Sequence, residues 1–323
     1  MKVLVTGGAG YIGSACVEKL ISEGHKVVTI DNLTEGHRSA VHPDADFIEA
    51  DIADEVVLKD CFSMHQPDAI IHFAANALVG ESMTNPGKYF NNNTTKAQKL
   101  LECAASAGIR KFIFSSTCAT YGIPDKVPMN ESTPQNPINP YGESKLMFEK
   151  ILGWYQKIYN IEPVIFRYFN AAGATSLFGE HHRIETHLIP NVLFAALGRN
   201  QGCRIFGTDY ETPDGTCVRD YIHITDLAQA HILALKPGIS GAFNLGNGDG
   251  YSVRQVIDTC RQITGREIAV SAEGRRPGDP PTLVAAADKA RNVLGWTPEN
   301  GQLDAIIESA WKWHLNHPEG YPD

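Results

Sequence analysis

The chain opens with Met1-Lys-Val-Leu-Val-Thr-Gly-Gly-Ala-Gly-Tyr-Ile-Gly13, a short apolar segment that runs directly into a glycine turn. Gly7, Gly10 and Gly13 are spaced three apart, and apolar residues at helical spacing follow at once. A strand that ends in glycines and begins a helix is typical of a phosphate-binding turn. Glycines let the backbone approach the ligand, and the helix N-terminus offers free N–H groups to a pyrophosphate. The pattern therefore predicts dinucleotide binding.

A second predicted strand, Lys26–Ile30, ends directly before Asp31, about 20 residues beyond the glycine turn, where dinucleotide-binding proteins carry an acidic residue. A carboxylate there accepts hydrogen bonds from the hydroxyls of the adenosine ribose. It also repels a 2′-phosphate, so the sequence predicts NAD in preference to NADP. The alternative is a structural turn followed by a surface aspartate.

Strand and helix patterns alternate through the first half of the chain. Alternation of this kind indicates parallel strands with covering helices. We therefore predict an α/β fold with a Rossmann-type doubly wound parallel sheet. Because ligands bind beyond the carboxyl ends of such strands, the residues that follow the strands should share one cofactor. The later predicted elements are strands at 46–50, 69–73, 111–115 and 163–167 and helices at 55–65, about 86–107 and about 141–159.

The alternation stops after Asn170, where glycine-rich and polar segments separate shorter elements. We therefore expect an NAD-binding domain over residues 1–170 and a smaller C-terminal α/β lobe over residues 171–323 that binds the substrate. The first domain has no clean end in the sequence, so the chain should cross between the two lobes more than once.

Composition excludes several classes of protein. The net charge of −9 argues against general binding to nucleic acid or to a membrane surface, and no apolar run is long enough to span a bilayer. Seven scattered cysteines without a C-x-x-C motif suit the reducing cytoplasm and speak against a zinc site. His181, His182 and His187 suggest a metal site, but their spacing offers no carboxylate partner, so we expect no metal.

Tyr141-Gly-Glu-Ser-Lys145 places a tyrosine and a lysine on one face of a predicted helix. A free tyrosine, with a pKa of about 10, is a poor base at neutral pH. A neighbouring ammonium and a positively charged nicotinamide ring stabilise the phenolate and lower that pKa. A hydroxyl partner is expected at the end of the preceding strand, within Ser115-Ser-Thr117. The alternative for this pair is a half-buried tyrosine beside a solvated lysine.

Together these motifs resemble the extended short-chain dehydrogenase/reductase family, and within it the 4-epimerases of UDP-hexoses. The resemblance extends along the whole chain. It is carried by the glycine turn, by Tyr141-x-x-x-Lys145 and by the segments Asp31-Asn-Leu33, His72-Phe-Ala-Ala75, Val79-Gly-Glu-Ser82, Asn91-Asn-Asn93, Phe114-Ser-Ser116, Arg167-Tyr-Phe-Asn-Ala-Ala-Gly173, Val218-Arg-Asp-Tyr-Ile-His223, Asn244-Leu-Gly246, Arg275-Arg-Pro-Gly-Asp279 and His317-Pro-Glu-Gly-Tyr-Pro-Asp323.

The resemblance implies a mechanism in which Tyr141, as phenolate, takes the proton of the sugar 4-hydroxyl while hydride passes to NAD. The 4-keto sugar turns over, and hydride returns to its other face, so NAD is a bound catalytic group. Lys145 would bind the nicotinamide ribose and lower the tyrosine pKa. Thr117 stands where the family often has serine.

The resemblance also implies two sets of contacts. NAD contacts fall on Gly7, Gly10, Tyr11, Ile12, Gly13, Asp31, Asn32, Asp51, Ile52, Phe73, Ala74, Ala75, Asn92, Lys145 and Phe169, with the neighbours of Asn92 at the surface. UDP-sugar contacts fall on Thr117, Tyr141, Asn170, Leu188, Phe206, Arg219, Arg276, Asp279 and Leu283. A homodimer through the helices at 86–107 and 140–159 is implied as well.

Three alternatives remain. Sugar-nucleotide dehydratases carry an acid directly after the hydroxyl residue, whereas Cys118 and Ala119 follow Thr117 here, which disfavours elimination. A UDP-uronate or other nucleotide-sugar 4-epimerase would share the three catalytic residues. A non-catalytic NAD-binding regulator is disfavoured because Tyr141 and Lys145 are both present.

Leu283 stands where relatives restricted to plain hexoses have tyrosine. The resemblance therefore predicts that UDP-N-acetylglucosamine and UDP-N-acetylgalactosamine are accepted too.

Overall fold

The computed structural model describes residues 1–276 and 279–323. Its strands, in chain order, are β1 (Lys2–Thr6), β2 (Lys26–Asp31), β3 (Asp46–Glu49), β4 (Ala69–His72), β5 (Lys111–Thr117), β6 (Glu162–Tyr168), β7 (Asn170–Ala172), β8 (Cys203–Phe206), β9 (Val218–His223), β10 (Gly241–Leu245), β11 (Gly250–Ser252), β12 (Val270–Glu273) and β13 (Thr282–Leu283). Its α-helices are α1 (Tyr11–Ser22), α2 (Glu55–His65), α3 (Val79–Thr84), α4 (Pro86–Phe90), α5 (Ala97–Ser106), α6 (Pro140–Tyr159), α7 (Leu188–Ala196), α8 (Ile224–Ala234), α9 (Val253–Thr264) and α10 (Leu303–Asn316).

Seven strands form one sheet in the order β10-β6-β5-β4-β1-β2-β3, and every neighbouring pair is parallel. Side chains alternate between the two faces of each strand. In β1, Val3 and Val5 join the core beneath α1 and α8, whereas Leu4 joins the core beneath α2, α5 and α6. Because both faces are buried, the central strands contain continuous apolar runs, such as Val3-Leu-Val5 in β1 and Phe112-Ile-Phe114 in β5. The doubly wound parallel sheet predicted from the alternation is present.

The remaining strands build a smaller unit beside the carboxyl ends of this sheet. Strand β9 pairs with β7, β11 and β13, and β8 pairs with β12. A separate apolar core joins these strands to α7, α9 and α10, with Val192, Ile257 and Ile306 among its fully buried members.

The chain does not stay in one unit. Helix α8 packs against α1, and β10 pairs with β6 as an outer strand of the large sheet. Residues 224–245 follow position 170 in the chain, yet they complete the large sheet and one of the helix layers that cover it. The division at residue 170 remains a prediction about function, since the sheet itself uses residues from both sides of it.

The expected helix at 86–107 is not uniform. It consists of α4, a π-helical segment at Asn91–Lys96 and α5. The polar residues Asn91-Asn-Asn93 lie where α4 passes into the π-helical segment. Such π-helical turns often occur at functional sites. Within the described residues, no helix combines the length and the apolar character that a membrane span requires.

Candidate active site

The glycine turn connects β1 to α1 in a close-packed arrangement. Gly7 has a φ of +75°, and a Cβ there would lie 2.5 Å from the backbone nitrogen of Ala74. A Cβ on Gly13 would lie 2.0 Å from the carbonyl oxygen of Gly7. Gly10 is the N-cap of α1, with no side-chain cap and no acidic residue in the first turn. The helix N-terminus at Tyr11 and Ile12 therefore presents backbone N–H groups that fit a pyrophosphate.

Asp31 lies at the end of β2 next to this turn. Its carboxylate is buried and accepts hydrogen bonds from the backbone nitrogens of Ala9 (3.0 Å) and Leu33 (2.8 Å). Burial raises the pKa of Asp31, and the two backbone hydrogen bonds oppose that shift. The carboxylate is thus held in place at the turn, where an adenosine ribose would lie.

Residues after β3 flank the same position. Asp51 forms an ion pair with Lys96. Burial acts to raise the pKa of Asp51, but hydrogen bonds from Lys96, Ala53 and Asn32 outweigh it and hold that pKa below its usual value. Ile52 is buried beside it. The sequence did not suggest that Lys96 fixes Asp51.

The ends of β4 and β6 lie at the same sheet edge. The backbone nitrogens of Phe73 and Ala74 both donate to the carbonyl oxygen of Thr6, at 2.9 and 3.1 Å. Ala75 follows, half-buried. Phe169 is buried, and its nitrogen donates to the carbonyl oxygen of Leu245. The predicted cofactor residues are therefore brought together around the carboxyl ends of the strands.

Asn93 has a role that the sequence did not predict. Asn92 is half-buried, but Asn93 is fully buried, so the expectation that both neighbours of Asn92 lie at the surface is wrong. The Asn93 amide accepts from the backbone nitrogen of Asn76 and donates to the Asn76 carbonyl oxygen and to the Ser144 hydroxyl. It thereby joins the end of β4 to the first turns of α6.

The three predicted catalytic residues converge at the end of β5. Thr117 is the last residue of β5, and Tyr141 lies in the first turn of α6, whose N-cap is Asn139. The Thr117 side chain lies close enough to Tyr141 to act on the pKa of its hydroxyl. The Lys145 ammonium donates to the carbonyl oxygen of Ser115 at 2.8 Å. All three side chains thus lie at the sheet edge that carries the cofactor residues.

Burial controls the titration of this group. It raises the pKa of Tyr141 to about 12, against the opposing effect of the Thr117 side chain. It lowers the pKa of Lys145 to about 7, opposed by Glu149. Lys145 is not among the groups that act on the pKa of Tyr141 here, so the lowering of that pKa by the lysine and the nicotinamide ring together stays a prediction. A further positive charge at the site is needed to stabilise the phenolate.

A buried ionic network lies beneath Thr117, and sequence reasoning missed it. Arg167 on β6 and Glu149 on α6 form an ion pair with 2.7 Å between Nη2 and Oε2, and both side chains are almost fully buried. The Ser116 hydroxyl donates to Glu149, and the Tyr121 hydroxyl hydrogen-bonds with Arg167 at 2.9 Å. The network ties β5, β6 and α6 together directly behind the catalytic residues.

The predicted substrate residues form two neighbouring groups. Arg219 on β9 pairs with Asp279, and Leu283 on β13 lies opposite Arg219 in the parallel register. The Arg276 guanidinium lies 3.9 Å from the centre of the Phe206 ring. The Asp279 nitrogen donates to the Arg276 carbonyl oxygen, which joins the groups. Pro277 and Gly278 of the predicted Arg275–Asp279 segment lie outside the described residues.

The other two predicted substrate residues stand at element ends. Asn170 begins β7, and its side-chain amide donates to the carbonyl oxygen of Asp220 at 3.2 Å. Leu188 is the first residue of α7 and is half-buried. Asn170 thus begins the smaller unit directly after β6, and Leu188 packs against the apolar core of that unit.

The segment between β7 and α7 differs from its sequence-based description. The premise that its histidines lack a carboxylate partner is wrong, because Glu180 and Glu185 lie among them. Glu180 and His187 form a close ion pair, with the pKa of the glutamate lowered and that of the histidine raised by their mutual attraction, which outweighs burial. Arg183 was also missed: its guanidinium donates to the carbonyl oxygens of Leu33, Thr34 and Gly36 beyond β2.

Comparison with known proteins agrees with this geometry. Residues 3–246 match the NAD dependent epimerase/dehydratase family. A UDP-glucose 4-epimerase of Streptococcus mutans is 51% identical over 100% of this chain and 99% of its own. The UDP-glucose 4-epimerase of Brucella ovis, solved in complex with NAD, is 46% identical with a TM-score of 0.94 over 97% and 98% of the two chains.

A more distant solved structure is similar over the same extent. The UDP-glucose 4-epimerase of Bifidobacterium longum, in complex with NAD+ and UDP, is 36% identical with a TM-score of 0.95 over 99% of this chain and 100% of its own. These likenesses span both the sheet and the smaller unit, and they confirm the resemblance seen in the motifs. The uncapped glycine turn, the buried Asp31 and the neighbouring Tyr141 and Lys145 all fit this likeness. The chain therefore belongs to the NAD dependent epimerase/dehydratase family.

Proposed function

We propose that this chain catalyses the reversible, NAD-dependent epimerisation of UDP-hexoses at C4. The observation that carries the proposal is the convergence of Thr117, Tyr141 and Lys145 at the strand ends that also bear the glycine turn. The names of the similar proteins described above support the same reaction and substrate class.

The residues at the sheet edge fit NAD. The turn at Gly7, Gly10 and Gly13 would hold the pyrophosphate on the N-terminus of α1, and Asp31 would accept from the adenosine ribose. When bound, NAD supplies a reversible hydride acceptor together with the positive charge of its nicotinamide ring. That charge is what Tyr141 lacks in its protein surroundings.

Tyr141 acts as the acid–base group. As phenolate, its oxygen takes the proton of the sugar 4-hydroxyl and later returns it, and Thr117 would orient that oxygen by hydrogen bonding. Lys145 lies against the end of β5 and adds a positive charge whenever it is protonated. Cys118 and Ala119, which follow Thr117, offer no carboxylate for elimination at neighbouring carbons.

The nucleotide of the substrate is assigned to the smaller unit. Arg219 and Arg276 are the cations for the substrate pyrophosphate, because arginine binds phosphate in a bidentate manner. Asp279 holds Arg219 in place, and the Phe206 ring lies against Arg276. Asn170 and Leu188 line the approach from β7 and α7.

Leu283 is assigned to the wall of the hexose site. It packs beside Cys118 against the apolar cluster that contains Phe169 and Met129, so it lies close to the end of β5. An aliphatic side chain leaves more room than tyrosine beside the sugar. We therefore include the N-acetylated pair, UDP-N-acetylglucosamine and UDP-N-acetylgalactosamine, among the substrates.

A homodimer through α6 and the neighbouring helices is part of the proposal. Large apolar side chains are exposed along α6, including Trp154 and Ile158, each 62% exposed, and Tyr159. Exposed apolar patches of this kind favour association with a partner surface.

All seven cysteines are free thiols, which supports placing the protein in the reducing cytoplasm.

The test is incubation of the purified protein with a panel of UDP-hexoses, without added NAD, followed by chromatographic separation of the products. We expect UDP-galactose and UDP-glucose to interconvert, and a dinucleotide to be released on denaturation. Turnover confined to UDP-uronates would support the rival 4-epimerase. Bound NAD with no turnover of any nucleotide sugar would support a regulator, and either result would overturn the proposal.

A further inference from the structure

Four potential metal ligands meet in the segment between β7 and α7. Glu180, His182, Glu185 and His187, here called the Glu/His cluster, each offer one ligand atom, and these atoms all lie within 4.8 Å of one another. The catalytic reaction proposed above uses none of them. The cluster is therefore a separate feature of the chain.

The distances within the cluster resemble those around a single ion. Glu180 Oε1 lies 2.9 Å from His187 Nδ1 and 3.2 Å from His182 Nε2, and Glu185 Oε1 lies 3.1 Å from His187 Nδ1. Ligands about 2.1 Å from a tetrahedral zinc ion lie about 3.4 Å from one another. Shifts of about 1 Å thus suffice to bring all four atoms onto one ion.

Burial and charge favour an added cation. The Glu180 and Glu185 side chains are only 5% and 7% exposed. Glu185 Oε2 is buried and, within the described residues, has no hydrogen-bond partner. Two nearly buried carboxylates are costly unless opposite charge lies against them. His187 as a protonated imidazole offsets one of these two charges, whereas a dication in place of its proton would neutralise both. The unpartnered oxygen points to a ligand beyond the histidines.

We propose that the Glu/His cluster binds one divalent transition-metal ion and that Zn²⁺ fits it best. Imidazole nitrogens together with carboxylate oxygens suit zinc, whereas calcium and magnesium prefer oxygen ligands alone. Four protein ligands leave no open position on a tetrahedral ion, which is the arrangement of structural sites. The ion would therefore hold the segment in place and take no part in the reaction.

The position of the cluster indicates what the ion would hold. The His182 ring lies edge-on to the Tyr11 ring, with 6.2 Å between centroids, and the Tyr11 hydroxyl donates to the carbonyl oxygen of Gly173. Arg183, next to His182, contacts the loop beyond β2. His187 directly precedes α7, which begins at Leu188. The ion would thus connect the glycine turn to the substrate side of the molecule.

The test measures metal binding directly. The full-length protein is stripped with a strong chelator, dialysed, and titrated with Zn²⁺ in the presence of a chromophoric competitor, with bound zinc counted by elemental analysis. We expect about one zinc per chain, a rise in Tm on addition of Zn²⁺, and nitrogen and oxygen ligands by X-ray absorption. His182→Ala/His187→Ala and Glu180→Gln should each weaken binding at least about tenfold, since even the loss of an outer partner costs 10–100-fold.

His65→Ala is the matched control, because His65 is a half-buried histidine on α2, outside the cluster. It should bind zinc as the parent does. A parent that binds zinc no more tightly than the double variant, or a control that loses binding equally, would overturn the proposal. Because each readout is independent of turnover, failure here is distinguishable from failure of the proposed function.

Discussion

The Lys145 ammonium donates to the carbonyl oxygen of Ser115 across 2.8 Å, so α6 is anchored to the last residues of β5 by a predicted catalytic side chain. Tyr141 stands one turn earlier on the same helix and meets Thr117 at the end of the same strand. The strand end therefore orients both residues at once. Removing either one should alter chemistry more than fold.

Tyr141→Phe should retain the fold and NAD while losing at least about a hundredfold in turnover, the usual scale for a general acid–base group. The hydroxyl that moves the proton is gone, but the ring still packs. Steady-state kinetics on UDP-galactose check this. Tyr155→Phe, on the same helix, should turn over normally, and near-normal rates in Tyr141→Phe would remove it from the mechanism.

Lys145→Met should lower turnover at least as strongly, because the site loses a positive charge beside Tyr141. Its pH–rate profile should also change. Lys150→Met, exposed two turns from Tyr141 on α6, is the control and should behave like the parent. An unchanged profile in Lys145→Met would show that this lysine does not affect the titration of Tyr141.

The same variant tests the effect of burial on Lys145. Burial lowers the folded-state pKa to about 7, below the value of about 10.4 in an unfolded chain. Between those pH values the unfolded state binds the extra proton, so this group makes stability rise with pH. The parent should therefore gain stability relative to Lys145→Met from pH 7 to 10 in chemical denaturation. A constant difference would contradict the lowered pKa.

Asp31→Ala should relax the preference for NAD over NADP, because the carboxylate that repels a 2′-phosphate is gone. Asp31 also accepts two backbone N–H groups, so the measured quantity is the ratio of the two affinities. Asp31→Asn keeps an acceptor and removes only the charge, and it should shift the ratio in the same direction. Equal ratios in all three proteins would show that another group selects the cofactor.

Leu283→Tyr should suppress turnover of the N-acetylated UDP-sugars and spare UDP-galactose, since only the larger substituent meets the new ring. Kinetics on both substrate pairs decide it. Leu283→Met conserves volume and should keep both activities. A parent without N-acetyl turnover, or a tyrosine variant that loses both activities equally, would exclude Leu283 as the gate.

Glu149→Gln should lower the free energy of unfolding by about 3–5 kcal/mol, the usual cost of removing one partner from a buried ion pair. Arg167 would keep its buried charge without the carboxylate. Chemical denaturation measures the change, with Glu102→Gln, exposed on α5, as the control. A loss no larger than that of the control would mean that solvent reaches Arg167.

Local patterns predicted most of the fold and the convergence of the site. The strands were visible because parallel strands buried on both faces contain continuous apolar runs, such as Phe112-Ile-Phe114 in β5 and Val164-Ile-Phe166 in β6. Thr117, Tyr141 and Lys145 were predictable because a strand end and one helix turn bring them together. The bounds of α2 were predicted to the residue.

Long-range contacts account for what the sequence did not reveal. Asn93 is buried because it bridges Asn76 and Ser144, which is 51 residues away. The uneven helix at 86–107 and the raised pKa of Tyr141 likewise depend on tertiary surroundings. Glu180 and Glu185 are close to the histidines in the sequence, but only the folded loop shows that their oxygens lie beside the histidine nitrogens.

The late arrival of β10 has a consequence for synthesis on the ribosome. Until residues 241–245 emerge, β6 presents an unpaired edge, and until α8 emerges the apolar side chains beneath it lack their cover. Such edges and surfaces invite aggregation. A nascent chain that has only reached residue 170 is thus an incomplete folding unit, and the large sheet is complete only after residue 245 has been translated.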